Sequence, residues 1–88
     1  MTVKKFVIKG KVQGVSFRYS AEKKAIELGA KGWVRNEPDG TVHMVVSGDD
    51  RVLRLMKTWI IESSPGILES LDVIDYPEED FDTFYIQY

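Results

Sequence analysis

The 88-residue chain contains no cysteine, one histidine and no apolar run approaching the length of a membrane-crossing helix. Each absence removes a class of function. Without cysteine there are no disulfides, no thiol nucleophile and no thiolate metal site. A single histidine, His43, leaves no paired spacing of the kind that metal ligands require, and neither a metal nor a cofactor is expected. The segment from Met1 to Lys11 alternates lysines with apolar residues and carries no small-residue cleavage site, so it does not read as a secretory signal. Together with the missing cysteine, this points to the cytoplasm. Internal repeats and low-complexity segments are also lacking, and a chain of this length builds one domain, residues 1–88.

What is present is an ordinary globular balance, 43% hydrophobic and 30% charged, with a lopsided charge distribution. Residues 1–35 hold nine Lys/Arg and two acids, whereas residues 36–88 hold three and twelve. Such an imbalance arises from the solvated faces of a mixed sheet, or from a basic first third that attracts an anionic ligand.

Period-two alternation from Val3 to Val12 sets Phe6 and Ile8 on one face and Lys5, Val7, Lys9 and Lys11 on the other, predicting a half-buried strand. The segment Gly14-Val15-Ser16 breaks it. Phe17, Ala21, Ala25 and Leu28 then share one face of a helix that Gly29 would end, with Ser16 as its candidate N-cap. Lys31 to Glu37 and Thr41 to Ser47 read as a hairpin around Pro38-Asp39-Gly40. Asp49-Asp50 opens a second helix, with Val52, Leu55, Met56, Trp59 and Ile60 at helical spacing, and Ser63-Ser64-Pro65-Gly66 stops it. Leu71 to Tyr76 suggests a further strand, and Phe84, Ile86 and Tyr88 alternate as a short last one. The order is β-α-β-β-α-β with a short extra strand. This predicts an α+β, ferredoxin-like sandwich with two helices on one face of an antiparallel sheet and a partly open opposite face. Nothing in the pattern says which edge takes the last strand.

The stretch Lys9 to Arg18, K-G-K-V-Q-G-V-S-F-R, is where chemistry concentrates. A strand ends, glycines punctuate a loop, and an arginine falls in the first turn of a helix, where the dipole favours an acid. Arg18 is either an exposed arginine with its stem lying on the fold, or the partner of an anion held by loop N–H groups. The loop lacks the Gly-Lys-Ser/Thr ending of a Walker loop. Its one hydroxyl, Ser16, has no histidine or acid nearby in sequence to activate it, so if phosphate chemistry occurs here, water is the expected nucleophile.

Gly10-Lys11-Val12-Gln13-Gly14-Val15-Ser16-Phe17-Arg18, followed by Gly32-Trp33-Val34-Arg35-Asn36 and Asp39-Gly40, closely resembles the acylphosphatases. The resemblance spans the two-helix layout and the F-x-I-x-Y ending. It implies metal-independent hydrolysis of the carboxyl-phosphate bond of a small acyl phosphate, with inorganic phosphate as product and no covalent intermediate. By position it makes Gln13, Gly14, Val15, Ser16, Phe17 and Arg18 the phosphate-binding loop, Arg18 the phosphate-binding arginine and Asn36 the residue that positions the attacking water. Four departures stand out. Ser16 sits where glycine is frequent, Glu37 sets a carboxylate beside Asn36 that alternation should turn away, Ser-Ser-Pro-Gly-Ile follows the second helix, and Gln87 stands where a basic residue is common. The alternatives are a non-catalytic phosphate-binding domain and an RNA-recognition-like module. The second would stack bases on sheet aromatics, which Lys5, Val7, Lys9, His43 and Val45 do not offer, so no nucleic acid is expected. No membrane partner is expected either, and the chain is expected to act as a monomer.

Overall fold

The computed structural model describes residues 2–88. Seven elements follow in order: β1 (Thr2–Lys11), α1 (Phe17–Leu28), β2 (Lys31–Asn36), β3 (Val42–Gly48), α2 (Asp50–Glu62), β4 (Ile67–Asp75) and β5 (Phe84–Ile86). They form one sheet in the order β4-β1-β3-β2-β5. The first four of these strands pair antiparallel, as expected of a ferredoxin-like fold, and β5 adds to the outer edge of β2 in parallel, which makes the sheet mixed. β4 starts at Ile67, earlier than the apolar pattern from Leu71 suggests, because its first residues pair with Lys11 and Gly10 at the end of β1.

The pleat sends alternate side chains to the two faces. Phe6, Ile8, Val34, Val42, Met44, Val46 and Phe84 therefore meet Phe17, Ala21 and Ala25 of α1 and Val52, Leu53, Met56 and Ile60 of α2 in one core. α1 closes where Gly29 takes a left-handed C-cap and its N–H bonds the Ile26 carbonyl. α2 is strongly amphipathic, and the Asp49 side chain accepts from the Val52 N–H at 2.9 Å.

The face away from the helices is less open than the sequence suggests. β4 and β5 lie at opposite edges, so residues 76–83 have to cross from one side to the other, and they cover Val3, Trp33 and Val45 with Tyr76 and Phe81. Trp33 is only 7% exposed in consequence.

One backbone irregularity points β1 into the functional loop. The register against β4 shifts between Lys9 and Gly10, where φ is 138°, and a Cβ at Gly10 would lie 2.0 Å from the Ile67 carbonyl oxygen. Only glycine fits so close a backbone approach, and the bulge turns the strand out of the sheet toward residues 12–16.

Candidate active site

Beyond the bulge, Val12 drops into the core and the chain turns at Gly14, whose φ of 74° is the left-handed region that glycine tolerates. Ser16 follows with φ 63° and ψ 23°, also left-handed, and its side chain caps no helical N–H. It occupies the N-cap position without performing the cap expected of it. The physical reason is conformational: a capping serine sits in the extended region, from which its hydroxyl reaches back over the first turn. The same dihedral accounts for the frequent glycine that the family resemblance implies here.

The consequence is an open set of donors. Among the described residues, no backbone N–H from Gln13 to Tyr19 meets a backbone carbonyl, and the first to do so is Ser20, which bonds the Ser16 carbonyl at 3.0 Å. No acid stands in the first turn of α1, and no carboxylate of the described residues lies within ion-pair distance of Arg18. A guanidinium, several free amides and the positive end of the α1 dipole thus share one small region, an arrangement suited to an anion.

A cleft of about 170 Å³ opens there, lined by Val12, Gly14, Ser16, Phe17, Arg18, Tyr19, Asn36, Ile86 and Tyr88. The two residues that the resemblance makes catalytic, eighteen positions apart in sequence, line the same cavity. Asn36 is the last residue of β2 and pairs with Val42 across the hairpin. Its Oδ1 is buried and accepts no hydrogen bond among the described residues, a costly arrangement for a side-chain carbonyl unless something else donates to it.

Not every loop residue faces the cleft. Phe17 contributes to its wall but sends its ring into the core, 5.7 Å from the ring of Trp59. Val15 is 37% exposed and does not line the cavity. Gln13 turns its side chain away as well, and its Nε2 donates to the carbonyls of Glu37 and Thr41, each at 2.9 Å. Four lining residues lie outside the site residues expected from sequence: Val12, Tyr19, Ile86 and Tyr88. For the last two the signal was available, since alternation from the buried Phe84 places Ile86 and Tyr88 on the helix-side face. The guanidinium carbon of Arg18 sits 5.1 Å from the ring centroid of Tyr88, a cation–π contact at the edge of the cleft that both residues line.

Glu37 is not among the residues that line this cleft. Alternation turns it to the opposite face, where the Arg35 Nε donates to its Oε2 at 2.8 Å and its Oε1 lies 3.5 Å from His43 Nδ1. Arg35 also stacks on Trp33 at 4.7 Å. Burial, with Lys5 nearby, pulls the His43 pKa below its usual value against the opposing pull of Glu37. The hairpin turn is closed by Asp39, whose Oδ1 accepts from the Thr41 hydroxyl at 2.6 Å and the Thr41 N–H at 3.0 Å; these bonds hold its pKa below the usual carboxylate value. Gln87, which stands where a basic residue is common, is half-buried, with an Oε1 that has no donor among the described residues. No group of three or more His, Asp or Glu residues positioned to hold a metal occurs among the described residues.

A family model described as acylphosphatase matches residues 4–86. The chain belongs to the acylphosphatase family. It is 39% identical over 82 residues to an acylphosphatase of Nitrosococcus oceani, a match covering 89% of this chain and 91% of that one. An acylphosphatase structure from Coxiella burnetii superposes with a TM-score of 0.92 at 33% identity, covering 98% of this chain and 92% of that chain. One from Bacillus subtilis gives 0.94 at 29% identity over the whole of both chains. The acylphosphatase-family chain is accordingly an enzyme, and neither the RNA-recognition-like module nor the non-catalytic phosphate-binding domain is favoured.

Proposed function

We propose that this acylphosphatase-family chain hydrolyses the carboxyl-phosphate bond of small acyl phosphates through the cleft between the α1 N-terminus and the end of β2. Arg18 and the loop amides hold the phosphoryl group, and Asn36 positions the attacking water. The observation that carries this division of roles is that Arg18 and Asn36 line one cavity together with the free-amide loop.

The chemistry asks little more of the protein. A guanidinium fork matches two phosphoryl oxygens, and loop amides stabilise charge on the equatorial oxygens as the bond to the carboxylate lengthens. Asparagine supplies an acceptor for the water's proton and a donor, and it is too weak a base to deprotonate water outright. An acyl phosphate needs no stronger base, because its carboxylate is already a good leaving group. The lining residues fit this scheme: no histidine, aspartate or glutamate is among them, and Ser16 has no partner that would make it a nucleophile. In this reading the protein works as a cytoplasmic monomer, one domain acting on a dissolved small molecule, with neither metal nor nucleic acid.

The test is turnover of acetyl phosphate or benzoyl phosphate in the presence of EDTA. We expect release of inorganic phosphate at an undiminished rate. Absence of turnover by well-folded protein would overturn the assignment.

A further inference from the structure

We infer that Gln13 is a positioning residue of this site, acting through Asn36 rather than on the substrate. Its amide clasps the hairpin that carries Asn36 to the loop that carries Arg18. The inference rests on the proposed role of Asn36.

The chemistry of the clasp is unambiguous. Both groups facing the Gln13 amide are backbone carbonyls, of Glu37 and Thr41, so the –NH₂ end is the only one that fits, and each of its hydrogens has an acceptor at 2.9 Å. The acceptors are placed with equal economy. Glu37 follows Asn36 directly, and Thr41 closes the same turn by accepting the Glu37 N–H at 2.9 Å. On the other side, Gln13 precedes Gly14, the first cleft-lining residue of the turn that leads into α1. The bonds span 24 and 28 residues of sequence, and they add polar links between the two halves of the site to the core packing of Phe17 with Val34 and Val42.

A plain structural staple would predict only lost stability. Here the two carbonyls retain other donors when Gln13 is removed, since Glu37 O also accepts the Gly40 N–H at 3.1 Å and Thr41 O the Glu37 N–H. Neither is orphaned, so the fold survives. What is lost is the fixed separation between the phosphate loop and the Asn36 carbonyl, and a misplacement of the water by an ångström costs rate rather than phosphate affinity.

The experiment is a double-mutant cycle on benzoyl phosphate hydrolysis with Gln13→Met, Asn36→Ala and the pair, reading kcat, inhibition by inorganic phosphate and Tm. Methionine keeps the length of the side chain and removes its donor. Gln13→Met should lower kcat on the order of 10-fold to 100-fold with little change in the phosphate inhibition constant, and should add almost nothing to the loss in Asn36→Ala. Gln13→Asn, which keeps an amide on a shorter stem, should fall between wild type and Gln13→Met, and it carries the same cycle should the methionine variant fold poorly. Additive losses would overturn the clasp while leaving the role of Asn36 intact. So would a Gln13→Met defect confined to Tm or to phosphate inhibition. If Asn36→Ala alone keeps its kcat, the role of Asn36 fails, and the clasp fails with it.

Discussion

The two helices begin in opposite ways. α2 starts as an isolated helix would wish to: Asp49 is extended, its carboxylate accepts the Val52 N–H, and Asp50 adds a second acid to the first turn. α1 starts with a left-handed Ser16 that caps nothing, no acid, and an arginine set against the dipole. Both helices bury their faces in the same core, so packing is not what separates them. The difference is that the start of α2 is satisfied by its own chain, whereas that of α1 leaves its backbone donors unpaired among the described residues.

This contrast can be broken by substitution. The largest effect is expected at Arg18. Arg18→Ala should reduce kcat/KM by at least ~10³-fold and abolish competition by inorganic phosphate. A variant still inhibited by phosphate at the wild-type concentration would mean that the loop amides suffice alone. Asp49→Ala should do the reverse, lowering stability by about 1 kcal/mol, or roughly 4–8 °C in Tm, while leaving kcat and phosphate inhibition unchanged. Loss of activity at a temperature well below its Tm would refute the idea that the two helix starts are functionally independent. The smallest effect is expected at Ser16, where Ser16→Gly relieves a left-handed serine and should raise stability by about 0.5 kcal/mol. A fall in Tm would show that the hydroxyl makes a contribution that its geometry does not reveal.

Much of this arrangement can be read before folding the chain. The spacing of Val52, Met56, Trp59 and Ile60, the aspartates ahead of them and Gly29 behind α1 are local signals, and each element they mark forms where expected. So are the arginine and the asparagine, once the motifs around them are taken together. The features that escaped are those fixed by distant backbone. Alternation tells which face Phe84 and Ile86 occupy but not that β5 lies parallel on β2, because that is decided by how residues 76–83 cross the sheet. Phe81 is hidden as a core residue by the acids around it. The partners of Gln13 are carbonyls, which every residue possesses, so no sequence pattern could have announced them.

The clasp between Gln13 and the hairpin also bears on when activity can arise. An elongating chain that has produced only β1 and α1 already holds the loop and Gln13, yet it lacks Asn36 and the hairpin carbonyls that Gln13 bonds. Contacts of this sequence separation form late, after the entropy of closing the intervening segment has been overcome. Recovery of turnover during refolding should therefore lag behind recovery of helical signal, which makes catalysis a reporter of completed assembly rather than of secondary structure.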